Sequence, residues 1–166
     1  MLYEAYILPH LEYCSPLLLG INKTLNKKLE SANYYALKVF LNFGNSFDYD
    51  SILSTVNMRS LEHRRYYQSL VHLFKRVKVN GTDYISDLFE PHILRYNLRD
   101  SDHNLNQPSY NNRYYHNSFT YKASRMWNQL PSYIKGSTDL SELCKLLKYF
   151  NLSVLRASCK CNYCIS

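Results

Sequence analysis

Apolar residues return every three or four positions over several long stretches, and this spacing constrains the fold more than any other feature of the chain. Residues 24–43 carry one such stripe, made of Leu25, Leu29, Ala32, Ala36, Val39 and Phe43. Residues 61–77 carry another, and a capping box at Asp139–Glu142 opens a third that runs to about Phe150. This spacing is typical of amphipathic helices. With only 4 Gly and 5 Pro, the chain is predicted to be mainly α, with about six helices, a long irregular polar connector and little strand.

The same pattern predicts four segments. Residues 1–89 form a helical region, 90–118 a polar connector, 119–152 a C-terminal helical segment and 153–166 a Cys-containing tail. In the first segment, the apolar stretch 2–19 is expected to be a helix kinked or ended at a proline. Gly44 is placed to cap the second helix, and Asn80-Gly81 to end the one that Ser60 begins. The connector loses all periodicity, and loops of this length are usually functional or disordered.

Charge is distributed unevenly along the chain. The first 50 residues carry 4 Lys and Arg against 5 Asp and Glu, whereas the rest carries 16 against 8. A positive surface attracts phosphate backbones and releases counterions on binding, although an excess of this size also serves solubility alone. Tyr is abundant at 17 residues, and its ring stacks on bases as readily as it packs in a core. RNA or an RNA–DNA hybrid is therefore a candidate partner.

Three blocks of sequence point to one family. The first is Leu8–Pro16 (LPHLEYCSP), preceded by Leu2-Tyr3, and the second is Ser60–Arg65 (SLEHRR). The third contains residues 97–102 (NLRDSD), 118–121 (SFTY) and 127–131 (WNQLP). In this order they resemble the region that follows the polymerase core of LINE-type (non-LTR) retrotransposon reverse transcriptases. The resemblance covers about residues 2–150.

The resemblance implies a part of an RNA-directed DNA polymerase that does no chemistry alone. Polymerase chemistry needs carboxylates that hold two metal ions over the primer end. The family supplies them from a Tyr-x-Asp-Asp hairpin and an upstream Asp, and no Tyr-x-Asp-Asp occurs here. The family's endonuclease is absent as well. We therefore expect no catalytic residues, no cofactor and no polymerase activity, and we expect the missing upstream polymerase domain to be a partner.

Candidate nucleic-acid contacts follow from composition. Arg95, Arg99 and Arg113 lie among tyrosines in the connector, a mixture that single-stranded RNA binding uses. Tyr114 and Tyr115 are the neighbouring candidates for stacking. Arg64 and Arg65 are a further pair on the outer face of their helix, where gripping phosphate and simple solvation are about equally expected. The chain has fewer cations than the family in its second helix and before Ser118, which leaves stacking by Tyr as the substitute.

The single Trp and the His and Cys residues give weaker indications of a binding site. Trp127 is the single Trp and is assigned to the core rather than to base stacking. His10 and Cys14 have the spacing of a ligand pair without a second pair nearby, so packing is preferred. Cys159, Cys161 and Cys164 are weak zinc candidates because they supply three thiols where a structural zinc site wants four ligands. No signal peptide or membrane-spanning stretch is evident, which predicts an intracellular location, in the nucleus or the cytoplasm.

Two further hypotheses concern partners. A helical protein-interaction module without a nucleic-acid role is the alternative to RNA binding. Residues 2–19 are apolar on nearly all sides, which predicts self-association through this segment if it is left uncovered. The opposite expectation is that this segment folds down into the core of the chain.

Overall fold

A computed structural model describes residues 2–43, 47–78, 88–92, 103–107 and 113–157, without the side chains of residues 113, 156 and 157. The described residues are mainly helical and contain no strand beyond an isolated antiparallel bridge between Pro91 and Leu105. The predicted mainly α class is therefore confirmed. The α-helices are α1 (Leu8–Glu12), α2 (Lys23–Phe40), α3 (Tyr49–Thr55), α4 (Leu61–Lys78), α5 (Arg113–His116), α6 (Phe119–Asn128), α7 (Ser132–Lys135), α8 (Leu140–Tyr149) and α9 (Val154–Ala157).

The N-terminal stretch is broken between its two prolines, at Tyr13 and Cys14. A π-helical turn, Tyr3–Ile7, leads into α1, which has Pro9 in its first turn. The helix ends at Glu12, because Tyr13 is extended and Cys14 adopts a left-handed φ of 53°. A 3-10 helix, Ser15–Gly20, follows with Pro16 in its first turn. Pro16 thus sits where a helix starts, whereas Pro9 lies at the junction between the π-helical turn and α1.

Helix α2 begins at the Asn22 cap, whose side chain accepts from the amide of Leu25 at 2.8 Å. Its predicted apolar stripe is correct only in part, because Leu29, Ala36 and Phe43 pack against the core and the other members do not. Leu25 is 50% exposed and Val39 is 76% exposed, whereas Asn33 and Leu37 are 1% exposed. A hydrogen-bonded Asn occupies the centre of the buried face, and a count of apolar residues cannot identify it.

The predicted caps of the later helices are confirmed. The Ser60 hydroxyl accepts from the amide of His63 at 3.3 Å and starts α4. At α8, the carboxylate of Asp139 accepts from the amide of Ser141 at 3.3 Å, and Glu142 reaches back to the amide of Thr138 at 3.2 Å. The predicted ends at Gly44 and Asn80-Gly81 lie outside the described residues.

Two apolar clusters form the core, and α4 contributes to both. Leu61 belongs to the first cluster, with Tyr3, Leu8, Leu37, Ile52 and Leu53. Leu70, Leu73 and Phe74 belong to the second, with residues of α6 and α8 and with Leu19, Phe89 and Leu105. The segment boundaries at residues 89, 118 and 152 stay a prediction.

Residues 2–19 were expected either to fold into the core or to leave an apolar side uncovered, and the structure shows some of each. Tyr3, Leu8 and Leu19 are buried, so this stretch folds into the core. On its outer side, Leu2, Tyr6, Tyr13 and Leu17 are between 65% and 78% exposed. The stretch is therefore a core element that also carries an exposed apolar side.

Candidate nucleic-acid interface

Arg64 is engaged within the fold. Its Nε donates to the carboxylate of Glu12, which also accepts from the side-chain amide of Gln68 at 3.2 Å. The ion pair links the end of α1 to the first half of α4. Both side chains are partly buried, which makes the pair stronger than an exposed one. A phosphate that bound Arg64 would have to compete with Glu12.

Arg65 does not lie on the solvent face of α4, and that prediction is wrong. The residue is 4% exposed, and its guanidinium donates to the side-chain oxygen of Asn26 in α2. Burial holds the pKa of Arg65 below its usual value, against the opposing charges of Glu30 and Glu62. Because α4 buries its Ser69 and Leu73 edge as well, position 65 falls on the inner side of the helix.

Glu30 explains why a cation is buried there. Its carboxylate accepts from the amide of Glu62 at 2.8 Å and from that of Leu61 at 3.3 Å, so a side chain of α2 caps the start of α4. A negative charge at this helix end is favourable, because the first amides point at it and the helix dipole is positive there. The Tyr49 hydroxyl donates to the same carboxylate at 2.6 Å.

Asn33 extends this network towards the N-terminus. Its amide donates to the Tyr49 hydroxyl at 2.7 Å, and its oxygen accepts from the Tyr3 hydroxyl. Burial raises the pKa of Tyr3 to about 12, and burial together with the bond to Glu30 raises the pKa of Tyr49. The Ser60–Arg65 block is thus bound into the fold by caps, an ion pair and hydrogen bonds.

The Trp127–Pro131 block holds the connector. Trp127 is fully buried, as predicted for a core residue, and its indole Nε1 donates to the carbonyl of His103 at 2.8 Å. The Asn128 side chain accepts from the amide of Leu105 at 2.8 Å and donates to its carbonyl at 2.9 Å. Lys135 is 2% exposed and donates to the side chain of Asn104 at 2.7 Å.

The described parts of the connector are extended where they meet this block. The amide of His92 donates to the carbonyl of Asn104 at 2.9 Å, and that of Asn106 donates to the carbonyl of Glu90 at 2.7 Å. These two bonds flank the Pro91–Leu105 bridge. The predicted cations Arg95 and Arg99 lie outside the described residues.

Helix α5 presents the predicted tyrosines. Tyr114 is 90% exposed and Tyr115 is 39% exposed. Arg113 begins the helix, and its side chain lies outside the described part of the chain. One residue further on, His116 is fully buried, and the centre of its ring lies 4.8 Å from that of Tyr121 in α6, with the two rings tilted by 42°. The tyrosines therefore stand on a helical turn whose next residue is anchored in the interior.

Gly20 allows a close contact with the residue that follows α5. A Cβ at this position would stand 1.8 Å from the carbonyl oxygen of Asn117, so only glycine allows the 3-10 helix to approach the end of α5. The Ser118 hydroxyl then accepts from the amide of Tyr121 at 3.3 Å and caps α6. The turn between α5 and α6 is held at both ends.

Two cations beside α5 were missed by sequence reasoning. The buried residues of α6 are Tyr121, Ala123, Ser124, Met126 and Trp127, which leaves Lys122 and Arg125 on its outer side. Burial, and then the charge of Lys122 and more weakly that of Arg125, hold the pKa of His116 below its usual value. Tyr114, Tyr115, Lys122 and Arg125 are called the α5–α6 corner below. The sequence feature that could have identified this corner is the position of Lys122 and Arg125 between the apolar residues of α6.

No metal site is found in the part of the chain that the structure describes, where no group of three His, Cys, Asp or Glu could hold an ion. His10 and Cys14 are both exposed, so the prediction that they pack in the interior is wrong. Cys144 is half-buried and hydrogen-bonds Tyr67, which raises the pKa of Tyr67 to about 12. Cys159, Cys161 and Cys164 lie outside the described residues.

Every helix within the described ranges is too short or too polar to cross a membrane. No family model, curated protein or solved structure matches the chain.

Proposed function

We propose that the chain is a non-catalytic C-terminal part of a LINE-type reverse transcriptase, where it contributes to binding RNA or an RNA–DNA hybrid. The supporting observation is that the sequence blocks that resemble this family contact one another. Glu12 of the first block pairs with Arg64 of the second. The 3-10 helix at the end of the first block packs on α4 and on α6, which carries residues 119–121 and 127–128 of the third block. Blocks separated by about fifty residues thus form one structural unit.

The distribution of charge supports a polyanionic partner. Glu12 and Glu30, two of the acidic side chains of the first half, are used inside the fold. Lys75 and Lys78 on α4 and Lys145 and Lys148 on α8 are exposed. Phosphate backbones bind such surfaces by releasing counterions, largely irrespective of sequence.

The test is fluorescence anisotropy of the purified chain with a labelled RNA hairpin and with a labelled RNA–DNA hybrid. We expect binding at about 50 mM salt that weakens at least tenfold by about 200 mM salt. Absence of binding to either probe at low salt contradicts the proposal. The isolated chain is expected not to extend a primer on an RNA template with Mg²⁺, because no Tyr-x-Asp-Asp sequence is present. Incorporation of nucleotides contradicts that part.

A protein-interaction module is the second candidate, favoured by the exposed apolar side of residues 2–19. Leu2 and Tyr6 are 66% and 65% exposed and stand one turn apart. Either a polymerase domain or a second copy of the chain would cover them. Deleting residues 2–19 would also remove buried Tyr3 and Leu8, so the informative change is the pair Leu2→Ser and Tyr6→Ser. A self-associating wild type that becomes monomeric by light scattering supports this function, and an unchanged mass contradicts self-association through this side.

A further inference from the structure

We propose that the α5–α6 corner binds single-stranded nucleic acid, with a base stacked on the ring of Tyr114 and phosphates held by Lys122 and Arg125. This inference rests on the proposed function and adds to it the place of contact and the kind of nucleic acid. The four residues of the corner lie outside the residues that carry the family resemblance, although Ser118, which caps α6, is one of those residues.

The ring of Tyr114 is free to stack. At 90% exposure the side chain buries almost none of its apolar area against the chain, so the faces and edges of its ring are open to water. An exposed aromatic face gains from covering by a base, and such stacking tolerates any base because every base has a π-face. A ring that served the core would be buried, as Trp127 is.

The platform is held before a ligand arrives. His116 is fully buried against Tyr121, and the carbonyl of Asn117 lies against Gly20. The amide of Asn117 also donates to the carbonyl of Tyr114 at 3.2 Å. Because the backbone beneath Tyr114 is already held in place, binding costs little conformational entropy, and preorganisation of this kind increases affinity.

The two cations continue from this platform along α6. Ser118, Lys122 and Arg125 follow one another at helical spacing on the outer side, and Ser118 begins the helix directly after α5. Helix α5 packs on α6, and Ser118 caps α6 two residues after α5 ends at His116. A strand that stacks a base on α5 therefore has cations beside its backbone on α6.

The arrangement selects single strands over duplexes. In a duplex the base faces are covered by their neighbours, so only phosphates are available to this surface. An unpaired strand offers both groups that the corner can bind. An acidic protein segment would contact Lys122 and Arg125 alike, but it offers nothing that needs the ring of Tyr114.

The experiment measures Kd by anisotropy for a short labelled oligouridylate and for an RNA duplex of the same length. The variants are Tyr114→Ala, Tyr114→Phe and the control Tyr149→Ala, which removes a tyrosine of similar exposure (86%) from α8. We expect Tyr114→Ala to raise the Kd for the single strand about tenfold, and Tyr114→Phe and the control to stay within about twofold of the wild type. Circular dichroism should be unchanged, because the substituted side chain is exposed.

Other outcomes overturn the inference in distinguishable ways. If the chain binds RNA but Tyr114→Ala is neutral, or if the duplex binds as tightly as the single strand, the inference fails and the proposed function stands. If oligoglutamate of equal charge competes as well as the oligouridylate, the corner is a general site for acidic partners and the inference also fails. If neither probe binds at low salt, both proposals fail together.

Discussion

Asn128 provides the most demanding test of the described fold. Replacing it by Ala removes two hydrogen bonds, to the amide and to the carbonyl of Leu105. Leu105 is 2% exposed, so its peptide groups lose partners in a largely dry setting. Each buried polar group left without a partner costs about 1–3 kcal/mol. Asn128 itself is half-buried and admits some water, so we expect a total loss of about 2–3 kcal/mol of unfolding free energy.

The assay is urea unfolding followed by tryptophan fluorescence. Trp127 is the single Trp and adjoins the substituted position, so it reports on the connector contact and on global unfolding alike. The matched control is Asn106→Ala, the same change at an exposed position of the connector segment that Asn128 holds, where we expect about 0.5 kcal/mol or less. A loss below about 0.5 kcal/mol for Asn128→Ala would refute the reasoning, because the clamp on Leu105 would then contribute nothing.

Three further predictions concern the rest of the fold. Gly20→Ala places a methyl group on the carbonyl of Asn117 and should cost about 1–3 kcal/mol, and an unchanged thermal midpoint would contradict that contact. Glu30→Gln removes the charge that caps α4 and that opposes the burial of Arg65, so chemical denaturation should show a loss of about 2 kcal/mol or more, and a neutral result would contradict the network. The lowered pKa of His116 means that the unfolded chain takes up its proton first as pH falls. The stability that depends on a neutral His116 is therefore complete above about pH 6.5 and is lost below it. His116→Gln should reduce the fall in unfolding free energy between about pH 7 and about pH 5, and an unchanged fall would contradict the burial of a neutral His116.

Local patterns identified the helices that local interactions define. The box at Asp139 and Glu142 lies within four residues of chain, and α8 begins there. Trp127 was placed in the core because a lone Trp in an apolar pattern brings more area than any neighbour, and it is fully buried. The cap of α8 depends on residues that are close in the sequence, and the place of Trp127 depends on the apolar area that it buries.

Contacts between polar residues that are distant in the sequence could not be predicted from such local patterns. The buried side of α2 is set by Asn33, whose partners are 30 and 16 residues away. Arg65 was assigned to a solvated face because a cation usually belongs there, yet Asn26 and Glu30 of another helix draw it inward. An apolar stripe gives no weight to hydrogen-bonded polar residues, so the sequence predicted the helix and only part of its buried face.

The α5–α6 corner illustrates the same limit for the candidate site. The connector tyrosines were predicted from composition, and Tyr114 is indeed exposed. Lys122 and Arg125 were not selected, because their helix was interpreted only through its apolar residues. Their place in the corner follows from the packing of α5 on α6, which the apolar spacing within α6 does not predict.

The most direct test of nucleic-acid binding at this corner is the salt dependence of Kd for a labelled oligouridylate. The test variant carries Lys122→Gln and Arg125→Gln, and the control carries Lys27→Gln and Lys28→Gln on α2, with the same loss of charge. If both corner cations contact phosphates, the slope of log Kd against log salt should flatten by about 1.4 in the test variant, and the control should keep the wild-type slope. Equal slopes in the test variant and the wild type would contradict the account.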